Sequence, residues 1–170
     1  AHQLKLETNV DSLGNIVVKR NSSKGMENLP CLLFQGHLDM VCVPDKNIFP
    51  IEPVITDGWV HTEQTTLGAD NGIAVAIMME LLKMEFTKNP PMEFLFTVSE
   101  EVGLIGAAKA DAGKLKVNGT KLINIDSEDI EKITVGCAGG KDFNINIEIE
   151  YEDNAFDNAY SLEVKGPGGH

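Results

Sequence analysis

The chain has 170 residues, 42% of them hydrophobic, which is enough for one well-buried core and too few for two large domains. Its 26 acidic residues against 14 basic ones leave a formal net charge of −12, which excludes a nucleic-acid backbone or an anionic membrane surface as partner by repulsion. Cys31, Cys42 and Cys137 are odd in number and form no C-x-x-C pair, which excludes a disulfide framework and a thiolate zinc site; with no apolar leader or long apolar run, a soluble cytoplasmic protein is expected.

Residues 4–20 alternate apolar and polar positions around Asp11-Ser12-Leu13-Gly14-Asn15, a β-hairpin signal. Residues 29–34 (LPCLLF) form a continuous apolar run, as in a strand covered on both faces, and lead to Gly36-His37-Leu38-Asp39. Residues 44–66 hold three prolines and a second, small hairpin signal at Asp57-Gly58. After GADNG at 68–72, residues 73–84 (IAVAIMMELLKM) have helical composition and are apolar nearly all round, which predicts a buried helix.

Pro90-Pro91 end that element, and residues 92–98 (MEFLFTV) read as a core strand leading to Ser99-Glu100-Glu101. A short helix over 104–110 and a strand over 121–125 (KLINI), with Asp126 at its tip, complete an alternation of strand and helix. The predicted fold is α/β, a mixed sheet covered by helices. Beyond Cys137 the texture changes: residues 142–151 (DFNINIEIEY) alternate strictly, as a strand with one wet face does, and 160–165 read as another. A domain boundary is expected there, between residues 1–138 and 139–170.

Four strand or helix ends thus carry chemistry-bearing groups. His37 and Asp39 lie two apart on a strand end, where the Asp can orient a metal-ligating His, although a structural His fits the pattern equally well. Asp70 precedes a helix, where an N-cap is the commonest role and a carboxylate bridging two cations is the alternative. Glu100 and Glu101 follow a very apolar strand; they are either a solvated turn or a repelling pair that needs positive charge nearby. Asp126 adds a fourth site, and His, Asp and Glu together suit zinc, manganese or cobalt. The segment 68–72 is not a G-x-G-x-x-G turn, and its Asp would repel phosphate, so a nucleotide-binding domain is disfavoured.

The ordered motifs GHLDMV (36–41), GADNGIA (68–74), VSEEVGLIGA (98–107), NIDSED (124–129), CAGG (137–140) and GPGGH (166–170) resemble a zinc-peptidase family. That family includes carnosinases, aminoacylases, peptidase T and succinyl-diaminopimelate desuccinylase. Met40-Val41 and the CAGG segment are most similar to its aminoacyl-histidine dipeptidase (Xaa-His dipeptidase) branch. The resemblance implies that residues 1–138 are a partial catalytic domain and that 139–170 begin a smaller α+β lid and dimerisation domain. It implies two divalent metal ions, with His37 and Asp126 on one, Glu101 on the other and Asp70 bridging. Asp39 would orient His37, Glu100 would act as general base, and His170 would stabilise the carbonyl oxyanion.

The substrate so implied is a dipeptide, Xaa-His and carnosine-like, cleaved next to a free amino terminus; the Asp at position 126 is the residue that the dipeptidase branches tend to have. The alternatives are an aminoacylase or tripeptidase of the same family, or an inactive metal-binding fragment. The family's second metal takes a further His from a longer chain, so a fragment with an incomplete second site is expected, and a homodimer when whole. His2 and His61 match no motif and are expected at the surface.

Overall fold

The computed structural model describes residues 4–41, 50–127, 129, 131–136, 139, 144–150, 160, 161 and 163. In chain order the elements are β1 (Glu7–Val10), β2 (Ile16–Arg20), β3 (Leu32–His37), β4 (Val54–Thr56), β5 (Trp59–His61), α1 (Ala69–Lys83), β6 (Met92–Thr97), α2 (Ile105–Ala108), α3 (Ala112–Leu115) and β7 (Lys121–Asn124). All belong to the first of two units, Ala1–Ile130; the second is Glu131–His170.

The first hairpin forms because Asp11 organises its own turn. One carboxylate oxygen accepts the backbone N–H groups of Leu13, Gly14 and Asn15 at 2.9 to 3.0 Å, and Gly14 supplies the left-handed residue at φ +98°. β2 then pairs antiparallel with β6, with Val17 opposite Leu95 and Val18 opposite Phe94. β3 runs parallel to both β6 and β7, giving the strand order β1-β2-β6-β3-β7. The sheet is therefore mixed, as the alternation of elements predicts. Because β3, β6 and β7 are parallel neighbours, their carboxyl ends lie side by side at one edge of the sheet, where open α/β folds gather their chemistry.

The core lies between the sheet and α1. Val18, Met78, Leu82, Met92, Phe94 and Phe96 form one buried cluster, and the Phe34 and Phe94 rings stack with centroids 5.2 Å apart. Full burial of a side chain such as Phe94 or Met78 contributes about 2 kcal/mol. Arg20, at the end of β2, fixes the C-terminal end of α1: its guanidinium donates to the Leu81 and Leu82 carbonyls at 3.0 and 2.7 Å and lies 4.9 Å from the Phe86 ring centre.

Two expectations need correction. The helix predicted to be buried all round is buried on one face only, that of Asn71, Ala74, Met78 and Leu82, while Ile73 is 60% exposed and Ile77 41%. The apolar composition reported a helix correctly, but a single layer packs on it among the described residues, and the 3.6-residue period can turn only one stripe toward that layer. The strand predicted over 142–151 is likewise not seen: residues 144–150 have no regular structure, and Ile145, Ile147 and Ile149 are all at least 70% exposed. Strict alternation specifies which face of a strand would be wet but supplies no neighbour for its hydrogen bonds, and none is present among the described residues. Of the strand expected over 160–165 only 160, 161 and 163 are described.

The small hairpin is present as β4 and β5, joined at Asp57 and Gly58 with φ +51° and +81°, the two positive φ values of a type I′ turn. α3 begins at Asp111, whose carboxylate accepts the Lys114 N–H.

Candidate metal centre

His37 is the last residue of β3 and is 1% exposed. Its Nδ1 lies 2.9 Å from the Asp39 backbone carbonyl; since a carbonyl only accepts, Nδ1 carries the proton and Nε2 faces the other way. Around Nε2 stand Asp70 Oδ1 at 3.1 Å, Glu100 Oε2 at 3.8 Å and Asp126 Oδ2 at 3.8 Å. Burial alone would lower the imidazole pKa, but the Asp39 and Asp70 hydrogen bonds and the charges of Asp126 and Glu100 outweigh it and raise it.

Asp70 does not cap α1. The cap position is Gly68, at φ +75°, with no side-chain cap hydrogen bond, and Asp70 departs from helical geometry at φ −88°, ψ 106°. Its carboxylate instead turns to His37. The next residue, Asn71, was not singled out by the sequence. It is buried, and its amide donates to the Ile125 carbonyl at 3.0 Å and to Asp126 Oδ1 at 2.8 Å, which holds the tip of β7 against the start of α1. The Asn71 oxygen packs over Gly36, where a Cβ would come within 2.5 Å of it; a side chain at position 36 would therefore displace this link.

Asp39 faces two neighbours, His37 and the Glu100-Glu101 pair. Its carboxylate is 3.6 Å from His37 Nδ1 and is committed elsewhere: its two oxygens accept the backbone N–H groups of Glu100 and Glu101, each at 3.1 Å. The ring of His37 is met by the Asp39 backbone, and the side chain secures the Glu pair. Burial would raise the Asp39 carboxyl, but these N–H groups hold it below its ordinary value.

Glu100 and Asp126 are shifted the opposite way. Burial raises both; the surrounding carboxylates add to the shift, and only His37 and, for Asp126, the Asn71 amide oppose it. The site is thus a set of carboxylates around one imidazole, short of positive charge. His37, Asp70 and Glu101 can bring one ligand atom each within 4.8 Å of one another. An imidazole nitrogen with hard carboxylate oxygens is a donor set that fits zinc, manganese or cobalt, and a divalent cation would supply the missing positive charge. A hollow of about 280 Å³ opens beside this group, lined by Met40, Leu67, Gly68, Asp70 and Glu101 among others.

The structure brings His37, Asp39, Asp70, Glu100, Glu101 and Asp126 together from four separate segments. His170 lies outside the described residues. His61 is not part of the cluster; it pairs with Thr56 Oγ1 at 3.0 Å in the small hairpin.

Residues 15–157 match Peptidase family M28. The chain is 40% identical over 168 residues to the cytosol non-specific dipeptidase of Escherichia coli (strain K12), an alignment that covers 94% of this chain and 34% of that protein. Among solved structures, the aminoacylhistidine dipeptidase from Vibrio alginolyticus superposes with a TM-score of 0.66 at 37% identity, over 75% of this chain and 27% of that one. A tripeptidase from Staphylococcus aureus gives a TM-score of 0.64 at 28% identity, over 75% of this chain and 35% of that one. The chain spans about a third of the length of the curated dipeptidase it matches.

Proposed function

The chain belongs to Peptidase family M28, and from that premise we propose that the whole protein is a metal-dependent dipeptidase whose substrates include Xaa-His dipeptides of the carnosine class. The observation that carries the reading is the convergence of His37, Asp70, Glu100, Glu101 and Asp126 beside the carboxyl ends of three parallel strands. His37 and Asp126 would hold one divalent cation, Glu101 a second, and Asp70 both. When bound, such cations polarise a peptide carbonyl and make water more acidic.

Glu100 is the proton carrier in this reading. Burial and like charge raise its carboxyl, so it has the basicity to take a proton from the attacking water and the acidity to return it to the leaving amine. Asp39 keeps that carboxylate in place by gripping the Glu100 and Glu101 amides. The hollow next to Asp70 and Glu101 would receive part of the peptide. His170 would donate to the carbonyl oxyanion, and residues 139–170 would begin a lid through which the full-length protein forms a homodimer. No described helix is long and apolar enough to cross a membrane.

Isothermal titration of zinc into metal-free protein, for wild type and Asp70→Ala, tests the metal assignment. Binding in the wild type that is lost in Asp70→Ala is expected; equal binding in both would remove Asp70 from the site. Hydrolysis of free against N-acetylated dipeptides by the full-length protein tests the substrate class, and a preference for the blocked peptide would overturn the dipeptidase reading in favour of an aminoacylase.

A further inference from the structure

Asn15 sits in the turn between β1 and β2, 85 positions before Glu100, yet its side chain is fully buried at 0% exposure. Both of its amide hydrogens and its oxygen are engaged. Nδ2 donates to Asp11 Oδ2 at 2.7 Å and to the Gly106 carbonyl at 3.0 Å, and Oδ1 accepts the Val98 N–H at 3.1 Å. Val98, just past the end of β6, and Gly106, in the first turn of α2, bracket residues 99–105, a loop together with the first residue of α2, and that loop carries Glu100 and Glu101.

The loop is closed at its base. The Ile105 N–H donates to the Ser99 carbonyl at 3.0 Å, and the Leu104 N–H to the Glu100 carbonyl at 2.8 Å. A Cβ at Gly106 would run into the Val98 carbonyl oxygen and stand 2.9 Å from Asn15 Oδ1, so the two ends approach as closely as a bare backbone allows, with the Asn15 amide bonded to both. Asp39 grips the same loop near its tip, at the Glu100 and Glu101 amides. Asp11, by contrast, serves the turn that bears Asn15 and the Asp111 N–H and makes no hydrogen bond to residues 99–105.

We propose that Asn15 is a positioning residue for Glu100: by bonding both ends of the 99–105 loop it sets where the Glu100 carboxylate stands relative to His37. The proposal rests on the reading of Glu100 as the proton carrier. A buried amide that only stabilised the hairpin would need no bond to either end of this particular loop, whereas a one-ångström displacement of a group that moves a proton costs about 100-fold in rate.

The test uses full-length enzyme and compares Asn15→Ala with Leu82→Ala, a core truncation at the far end of α1 from Asp70. With Asn15→Ala, kcat on a dipeptide is expected to fall about 100-fold with KM within about threefold, and amide exchange at residues 100–106 of the metal-free protein to accelerate at least about tenfold. In Leu82→Ala, kcat is expected to stay near wild type and exchange in that loop to rise no more than elsewhere. Loss of kcat and loop protection in Asn15→Ala no greater than in Leu82→Ala would overturn the proposal and leave Asn15 a purely structural residue. Should Asn15→Ala fail to fold, Asn15→Ser, whose hydroxyl can keep the Val98 N–H bonded, is read in the same way. Glu100→Gln separates the two levels: if it keeps full activity, the reading of Glu100 fails whatever Asn15 does. If it is inactive while Asn15→Ala is unimpaired, only the positioning role fails.

Discussion

Asp11 follows directly on β1 and Asp126 lies two residues past β7, both with most of the side chain withdrawn from water, and they are served in opposite ways. Asp11 receives five N–H donors, from Leu13, Gly14, the backbone and side chain of Asn15, and Asp111. Glu93, 2% exposed, is treated similarly, with N–H groups of Asn118 and Gly119 and the Lys19 ammonium at 3.3 Å. Asp126 has the Asn71 amide and then faces Asp70 and Glu100 across a single imidazole. Asp11 and Glu93, which hold the fold, are each met by several donors; at the three parallel strand ends negative charge is left uncompensated among the described residues. That contrast is the physical reason to place a cation among the crowded carboxylates and none beside Asp11 or Glu93.

The largest consequence is on rate. Glu100→Gln, which keeps the shape and removes the basic oxygen, is expected to lower kcat about 1000-fold while leaving metal content unchanged, as read by metal analysis of the purified full-length protein. A loss of metal along with the activity would move Glu100 from proton carrier to ligand.

At the satisfied carboxylate the effect is on folding. Asp11→Ala strands several buried donors and is expected to destabilise by about 3 kcal/mol, measured by urea unfolding of the metal-free protein. Asp126→Asn should do the reverse, since it removes one of the crowded charges: about 1 kcal/mol of added stability in the metal-free state, with weaker zinc binding in titration. If both substitutions destabilised alike, the distinction between the two kinds of carboxylate would collapse.

The smallest effect is a change of slope with pH. The Asp11 carboxyl lies below its ordinary value: burial would raise it, and its hydrogen bonds from Asn15, Asp111 and Leu13 outweigh that. The stability it contributes is present above the unfolded value of about 4 and is lost as pH falls through the folded value. Glu100 and Asp126 lie above their ordinary values, so the folded state binds their protons more tightly, and their unfavourable contribution at neutral pH is relieved as pH falls through the raised values. The raised His37 acts in the same sense, its contribution being complete below about pH 6.5 and lost as pH rises through the folded value. Metal-free protein is therefore expected to gain stability from pH 7 toward about 5 and to lose it below about 4, and saturating zinc should flatten the first limb only.

Much of this was legible from the residues. The turn at Asp11 to Asn15, the strand ahead of His37 and the strand ahead of Glu100 follow from alternation, apolar runs and glycines, all of which are local. Asp70 shows the limit: a carboxylate ahead of a helix reads as a cap from its neighbours alone, and only the approach of His37, 33 positions away, gives it another partner. Asn71 and Asn15 were invisible as site residues because an amide carries no charge to signal its purpose, and what matters is the distant backbone it meets. The breadth of apolar surface on α1 misled in the other direction, since composition cannot say how many layers will pack on a helix.

Among the described residues β7 lies at one side of the sheet, with all four of its residues exposed and β3 as its hydrogen-bonding partner. A strand so placed is a template for adding another chain's backbone, and Leu122 at 62% exposure sweetens the contact. The surplus of 26 acidic over 14 basic residues opposes such pairing by mutual repulsion. Mild acid, expected to relax the crowded carboxylates and firm the fold, also reduces that repulsion, so solubility and stability of the metal-free protein are expected to peak at different pH.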